Sequence, residues 1–266
     1  MTETNEQYHA DTQRVSNSML SVLQRSPQEY QQRYVTKTMP HPKPSEAMAL
    51  GTLVHCMALE PHEVANRFIF KPYGMDRRTR EGKLAWQTLV ESGKDIVTLE
   101  QFETAQACWQ ALAYHDQIGV ALRADGIIEQ RIDWHRGGLA MRCKPDKVIP
   151  TMRLIIDVKT SADASPKEFA RSVANYGYAR QAALYKDAVE ATYCDNQQEE
   201  FRFLFAVVCT EPPYEVACYE LSDEAMRYGY RNADTLISEL QVRIERDDWL
   251  PDWGSGIVTL DLPRWI

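Results

Sequence analysis

The sequence predicts an α/β fold of the α+β kind. A mixed sheet with flanking helices follows a largely helical N-terminal region. Three observations predict it. Apolar residues recur at helical spacing through most of residues 1–125, short β-branched or alternating segments begin at residue 126, and long helical segments lie between and after the later strands. A chain of 266 residues can bury one sizeable core, so we expect a single domain over residues 1–266.

Composition narrows the class of protein. The chain has 30 basic and 38 acidic residues, and its net charge of −8 argues against a positively coated, nonspecific nucleic-acid binder. No run approaches the ~18 consecutive apolar residues of a membrane span, and the polar N-terminus lacks the features of a secretory signal. We therefore expect a cytoplasmic protein with no membrane partner. Six cysteines without a C-x-x-C pair favour reduced thiols over a zinc site.

Capping residues mark the first helices. Ser16-Asn17 can cap a helix whose apolar side begins at Val15, and Ser26-Pro27 offers a second cap with proline at the first helical position. Residues 36–46 contain three prolines and few apolar residues, so we expect an exposed connection there.

Helical patterns continue to residue 123. Residues 47–59 are apolar on nearly every side, which predicts a buried helix, and this helix carries one histidine, His55. A lone histidine on such a helix is more often a hydrogen-bonded core residue than a ligand. Residues 78–123 predict two or three further helices, with Thr98 and Gln101 as a capping box.

The periodicity changes after residue 125. Three short segments predict a meander of antiparallel strands, at residues 126–134, 138–149 and 153–160. The rest of the chain predicts a long helix, two strands and a last helix, at residues 165–192, 200–210, 214–221 and 223–246. The long helix would cross from the third strand to the fourth.

Two carboxylates and a lysine stand at the tips of the second and third predicted strands. Side chains alternate along a strand, so Asp157 and Lys159 share one face, and a hairpin at residues 150–152 would place Asp146 almost opposite Asp157. Two close carboxylates repel unless a cation lies between them, and Mg²⁺, with Mn²⁺ as a substitute, suits a site with carboxylate and phosphate oxygens. Lys159 could hold or help to deprotonate an attacking water.

A different interpretation of these residues is structural. Asp146 could simply end a strand, and Asp157 and Lys159 could form an ordinary surface ion pair. A bare D-x-K favours that interpretation. The longer pattern favours metal-dependent phosphodiester hydrolysis, because Pro145-Asp146 is followed by an apolar strand that ends in D-x-K and then by a long helix.

The pattern Pro145-Asp146…Asp157-Val158-Lys159 resembles the PD-(D/E)-x-K motif of the restriction-endonuclease-like superfamily. Four segments more specifically resemble the RecE-like nucleases, which are of the RecB type: residues 141–150, 154–160, 176–185 and Leu262-Pro-Arg-Trp265. The resemblance runs from about residue 16 to the C-terminus and implies a restriction-endonuclease-like core. Residues 1–125 would then be the helical part with the His55 helix, and residues 126–266 the catalytic core.

What the resemblance implies about activity goes beyond spacing. It implies a Mg²⁺-dependent exonuclease that degrades the 5′-ended strand of double-stranded DNA ends and leaves 3′ overhangs. It further implies a RecT-like single-strand annealing protein as partner and a ring-shaped homotetramer. A ring could enclose DNA without a long basic tract, which fits the acidic net charge.

The resemblance also assigns site residues. Asp146, Asp157, His55 and the backbone carbonyl of Val158 would bind the metal, and Lys159 would act on the water. Gln181 and Tyr185 share a helical face and match a Q-x-x-x-Y element that orients DNA, although without the resemblance a polar stripe is an equal interpretation. Glu129 is a lesser candidate for a second metal or for a contact behind the ligands.

DNA contact also requires positive charge. Arg77, Arg78 and Arg80 form a cluster, and Lys144 and Lys147 flank the two carboxylates. Such clusters are more often solvated surface. Two alternatives stay open at this point: another RecB-like or Cas4-like nuclease, and a non-catalytic DNA-binding or assembly subunit with a relict site. An iron–sulfur form would need clustered cysteines near the C-terminus, and none follows Cys218.

Overall fold

A computed structural model gives the structure of the chain and describes residues 5–42, 44–194, 200–251, 253 and 256–262. The helices are α1 Asn5–Ala10, α2 Asn17–Arg25, α3 Pro27–Tyr30, α4 Glu46–Leu59, α5 Val64–Arg67, α6 Arg80–Glu91, α7 Leu99–Tyr114, α8 Asp116–Arg123, α9 Pro166–Tyr176, α10 Tyr178–Tyr193 and α11 Asp223–Arg246. The strands are β1 Phe68–Phe70, β2 Asp95–Val97, β3 Ile127–Ile128, β4 Ile132–Arg136, β5 Leu139–Cys143, β6 Lys147–Ile149, β7 Leu154–Ser161, β8 Arg202–Cys209 and β9 Val216–Tyr219. Residues 263–265 of the closing motif lie outside the described residues.

The central sheet is mixed, as predicted. Its strand order is β3-β6-β7-β8-β9, in which β7 and β8 are parallel and the other pairs antiparallel. The parallel pair needs a crossover, which α9 and α10 supply. Two smaller pairs accompany the sheet: the β4–β5 hairpin and a parallel β1–β2 pair that the sequence did not predict.

The helical caps form where the sequence predicts them. The Ser16 hydroxyl accepts a hydrogen bond from the N–H of Met19 at the start of α2, and Ser26 does the same for Glu29 at the start of α3. Thr98 and Gln101 form the complete capping box of α7. The apolar helix α4 is less buried than predicted, because its first turn is exposed to solvent and only its C-terminal half reaches the core.

The predicted three-stranded meander is wrong. Residues 144–146 separate β5 from β6, so β5 pairs with β4 in its own hairpin while β6 enters the central sheet. Pro145 has no N–H to donate, which is consistent with a break in the ladder here. The β6–β7 register pairs Lys147 with Ile156, and its continuation places Asp146 opposite Asp157 as predicted.

The predicted single helix at residues 165–192 is two helices. Gly177 separates α9 from α10 in the left-handed region, with a φ of +68°. A Cβ at this position would lie 2.8 Å from Nη2 of Arg180, so the guanidinium takes the space beside the glycine. This change of direction sets the path of α10 over the sheet.

Both faces of β7 are buried. Ile155 belongs to an apolar cluster with α2, α10 and α11, whereas Ile156 and Val158 belong to a second cluster with α4, α7 and α8. A strand covered on both faces carries a continuous apolar run, as Leu154-Ile155-Ile156 does. Asp157 follows the alternation and shares the face of Ile155.

Arg180 joins three helices in the first cluster. It is 1% exposed, and its guanidinium donates to four uncharged oxygens: Asn17 Oδ1, Ser21 Oγ and Gln24 Oε1 on α2, and Asn232 Oδ1 on α11. Burial lowers the pKa of Arg180 to about 10. The first helices are therefore hydrogen bonded directly to the helix that crosses the sheet.

Candidate active site

Two buried carboxylates lie side by side at the end of β7. Asp157 is 1% exposed and Asp146 is 8% exposed. Asp146 Oδ2 accepts a 2.7 Å hydrogen bond from the N–H of Val158, which fixes this carboxylate to the strand that carries Asp157. The register thus places Asp146 opposite Asp157, as predicted, whereas the binding of one cation by both acids stays a prediction.

His55 approaches the same point from α4. One helical turn earlier, a Cβ on Gly51 would lie 3.2 Å from Oγ1 of Thr160, so the glycine lets α4 come close to β7. His55 Nε2 lies 2.6 Å from the Val158 carbonyl oxygen, and because a carbonyl only accepts, Nε2 carries a proton. Nδ1 lies 3.3 Å from Asp146 Oδ2, a contact that one shared proton makes favourable.

Burial dominates the electrostatics of Asp146. It raises the pKa of this carboxyl to about 7, with Asp157 and Glu129 adding to the rise and His55 and Lys159 opposing it. The repulsion expected of two neighbouring carboxylates is thus present but smaller than the effect of burial. Asp146 consequently retains a proton up to near-neutral pH unless a cation replaces that proton.

Lys159 lies against Asp157. Its ammonium forms an ion pair with Asp157 Oδ2 and is 4.7 Å from the centre of the Tyr178 ring. Burial alone would lower the pKa of Lys159, but Asp157 and Asp146 hold it above its ordinary value. Lys159 is thus a protonated group suited to donating hydrogen bonds, and not a free base.

Gln181 holds the other oxygen of Asp157. Its Nε2 donates a 2.7 Å hydrogen bond to Asp157 Oδ1, and its side chain is buried. Tyr185, one turn further along α10, packs edge-on against Phe203 with ring centres 6.4 Å apart, and burial raises the pKa of its hydroxyl well above the ordinary value. The structure therefore places Gln181 behind a candidate ligand rather than in open solvent.

Glu129 is closer to the site than the sequence indicates. His55, Glu129 and Asp146 each offer a ligand atom, and these atoms all lie within 4.8 Å of one another. The N–H of Glu129 donates to the Asp146 carbonyl at 3.1 Å, and its φ of +49° is a left-handed conformation. The sequence gives no sign of the left-handed conformation of Glu129, because the turn between β3 and β4 has no glycine, the residue that commonly marks such a conformation.

The donor set fits a divalent cation. Carboxylate, carbonyl and imidazole atoms converge, and no described residue directs a well-oriented hydrogen bond to the buried Asp157 Oδ2, which Lys159 approaches only as an ion pair. Neighbouring ligands of an octahedral ion with bonds of 2.0–2.1 Å lie about 3 Å apart. The 3.3 Å between His55 Nδ1 and Asp146 Oδ2 is close to this spacing.

The basic residues predicted to contact DNA lie in two separate parts of the structure. Arg77 lies over the Trp86 ring at 4.0 Å and Arg78 pairs with Asp76 at 2.8 Å, both on the segment between β1 and α6. Arg80 is the first residue of α6, and all three arginines are exposed. Lys144 instead forms an ion pair with Glu129 Oε2 at 3.0 Å.

Lys147, which follows Asp146 in the sequence, is buried and not available for contact with DNA. Lys147 is 2% exposed, and its ammonium donates to the carbonyls of Leu122 and Ala124 at 2.7 and 2.6 Å. These are carbonyls at the C-terminal end of α8, where a cation satisfies unpaired acceptors and the helix dipole. Lys147 thus stabilises a helix end.

Among the residues that the structure describes, no helix combines the length and the apolar character that crossing a bilayer requires.

Comparison with known proteins agrees with this geometry. The crystal structure of a "Putative exonuclease" from Eubacterium rectale matches with a TM-score of 0.64 and 14% identity, over 99% of this chain and 97% of that one. At such identity the likeness shows a shared fold. The structure of SSO0001 matches with a TM-score of 0.31 and 14% identity, over 82% of this chain and 85% of that one, which is too low to support an argument. No curated protein matches significantly.

A family model resolves the assignment. It matches residues 16–252, which is most of the chain and includes every metal-binding candidate, and its description is "PDDEXK-like domain of unknown function (DUF3799)". The resemblance to the PD-(D/E)-x-K superfamily is therefore confirmed, as is the restriction-endonuclease-like fold class, whereas the narrower likeness to RecE-like nucleases stays a prediction. The chain belongs to the PDDEXK-like family DUF3799.

Proposed function

We propose that the protein is a divalent-metal-dependent exodeoxyribonuclease that acts on the ends of double-stranded DNA. The observation that carries the proposal is that His55 contacts Asp146, whose carboxylate is hydrogen bonded to the strand that carries Asp157 and Lys159, as expected for a PD-(D/E)-x-K site. Membership of the PDDEXK-like family supports a phosphodiester hydrolase in general.

Each side chain has a chemical task in this proposal. His55, Asp146, Asp157 and the Val158 carbonyl would hold Mg²⁺, for which Mn²⁺ could substitute. Such an ion supplies Lewis-acid polarisation of the phosphodiester and of the attacking water. The Lys159 ammonium, placed between Asp157 and an aromatic ring, can donate a hydrogen bond to the water or the phosphate and offset developing negative charge.

Substrate binding would use groups around these ligands. Gln181 keeps Asp157 in its orientation, which supports a positioning role more directly than a DNA contact. Tyr185 would act near the strand by analogy with the Q-x-x-x-Y element. The exposed Arg77, Arg78 and Arg80 would contact the DNA backbone, since phosphate contacts are the main source of affinity for DNA.

Polarity and assembly rest on the resemblance to RecE-like nucleases. We propose degradation of the 5′-ended strand, a 3′ overhang as product, a RecT-like annealing protein as partner and a homotetrameric ring in the cytoplasm. The Eubacterium rectale protein is named a "Putative exonuclease", and its fold matches nearly the whole chain, which supports our preference for an exonuclease.

The alternatives differ in testable ways. A Cas4-like enzyme with an iron–sulfur cluster needs four thiolates around one point, whereas no such group of ligands occurs in the described part of the chain, and Cys56, Cys108, Cys143 and Cys209 are buried free thiols. A non-catalytic subunit would keep the fold and bind DNA but would not cut it.

Digestion of linear duplex DNA tests the proposal. Duplexes labelled at one 5′ or 3′ end are incubated with Mg²⁺, with 5′-phosphate and 5′-hydroxyl ends in parallel and a closed circular duplex as control. We expect stepwise loss of the 5′-ended strand, no attack on the circle, and loss of digestion in Asp157→Ala. Asp95→Ala, which removes an exposed carboxylate on β2, is the matched control and should digest normally. A wild-type protein that binds duplex ends but never cuts them would favour the non-catalytic alternative.

A further inference from the structure

Glu129 is held at the site at a conformational cost. Its φ of +49° is unfavourable for a residue with a side chain, and such a conformation persists only where the surrounding structure enforces it. Here the N–H of Glu129 donates to the carbonyl of Asp146, which ties the backbone of one acid to the backbone of the other. Left-handed non-glycine residues concentrate at functional sites, so this geometry points to a role for the carboxylate itself.

Lys144 neutralises the charge of Glu129 by forming an ion pair with it. The ammonium lies 3.0 Å from Glu129 Oε2, and both side chains are largely shielded, with exposures of 13% and 19%. This ion pair is therefore unlike the exposed pair of Arg78 and Asp76, whose arginine is 91% exposed. The ammonium thus offsets the charge of a carboxylate that has an oxygen within 4.8 Å of ligand atoms of His55 and Asp146, as a second cation does in sites with two metal ions.

A count of charges tells how many divalent ions the site can accept. Asp146, Asp157 and Glu129 contribute three negative charges when ionised, and Lys144 and Lys159 contribute two positive ones. With a neutral imidazole the balance is −1. One divalent ion brings the site to +1, which one phosphodiester neutralises, whereas two ions would bring it to +3.

We propose that the ammonium of Lys144 takes the place of a second divalent cation, so that each chain binds one ion. The inference rests on the proposed function, because it concerns the same metal site. It changes the expected role of Lys144 from a DNA contact to a fixed counter-charge, and it gives Glu129 a partner other than a metal. Removing the charge of Lys144 should open a second ion site on Glu129.

Metal stoichiometry tests the inference without any measurement of activity. The full chain is stripped with a chelator and titrated with Mn²⁺ by isothermal calorimetry and by electron paramagnetic resonance, which also detects coupling between neighbouring Mn²⁺ ions. Lys144→Met removes the charge at similar length, Lys144→Arg retains it, and the double variant Lys144→Met/Glu129→Gln removes both charges of the pair.

We expect one Mn²⁺ per chain in the wild type and in Lys144→Arg, two coupled ions in Lys144→Met, and one again in the double variant. Two ions in the wild-type protein would overturn the inference and leave the nuclease proposal intact. One ion in a folded Lys144→Met protein would also overturn it. A wild-type chain that binds no Mn²⁺ would contradict the proposed function as well, and since the wild type is itself informative, the test does not depend on the variants folding.

Discussion

Replacing Gln181 with leucine separates a positioning role from a DNA contact. Leucine has a similar volume but no donor, so Asp157 Oδ1 loses the 2.7 Å hydrogen bond from Nε2. A hydrogen bond to a charged group contributes about 1.5–3 kcal/mol to stability, and water cannot readily replace it because Asp157 is only 1% exposed. Loss of a partner that orients a metal ligand typically weakens metal affinity about 10–100-fold.

The assay measures two quantities on the same protein. Isothermal calorimetry with Mn²⁺ gives the metal affinity, and urea unfolding of the chelated protein gives the free energy of unfolding. Asp187→Asn is the matched control on the same helix, because Asp187 accepts from Trp134 Nε1 and pairs with Arg136 instead of contacting the site. We expect the control to lose stability while keeping its Mn²⁺ affinity.

One result would refute the reasoning. If Gln181→Leu keeps the wild-type Mn²⁺ affinity and the wild-type unfolding free energy, and only raises the KM for duplex DNA, then Gln181 contacts DNA and does not hold Asp157. If both quantities fall and KM is unchanged, the positioning role is supported.

Four further predictions concern the protonation of Asp146, backbone geometry and helix packing. Because burial raises the pKa of Asp146 to about 7, a cation must displace a proton from this carboxyl below that pH. The affinity for Mn²⁺ should therefore fall up to about tenfold per pH unit between pH 7 and 5. An affinity that does not change over this range would contradict the assignment of Asp146 as a metal ligand. The same raised pKa means that Asp146 lowers the stability of the metal-free protein as the pH rises from the unfolded value of about 4 through 7, by ~4 kcal/mol at most, which thermal unfolding in chelator can measure. Gly177→Ala should cost ~1–2 kcal/mol in urea unfolding because of the φ of +68°, and an unchanged midpoint would show that α9 and α10 meet differently. Gly51→Val should push α4 away from Thr160 and so weaken Mn²⁺ binding, whereas wild-type binding would show that His55 tolerates the shift.

The element pattern could be predicted because local signals agree with the fold. The caps at Ser16 and Ser26 and the capping box at Thr98 each rest on contacts between residues three apart, which a sequence displays directly. The opposition of Asp146 and Asp157 was also within reach, since a short connection between two strands fixes their register.

Other features depend on distant residues. Gly177 reads as a tolerated glycine inside a long helix, and only the guanidinium of Arg180 in the space beside it shows why the chain turns there. The β1–β2 pair joins two segments of three residues that lie far apart in the chain, too short for a periodic signal. Glu129 could not be ranked correctly, because its approach to His55 depends on a backbone conformation that its residue type disfavours.

The uncharged hydrogen-bond acceptors around Arg180 determine what removal of the N-terminal helices would do to the fold. Three of its four hydrogen-bond acceptors, Asn17, Ser21 and Gln24, come from α2, which contributes no atom to the metal site. A truncated protein that begins after residue 25 would lose three of the four acceptors of the guanidinium together with the buried side chains of α2, among them Leu20 and Leu23, and would be destabilised by several kcal/mol. Helix α2 thus stabilises the fold that positions the candidate site, although it lies outside that site.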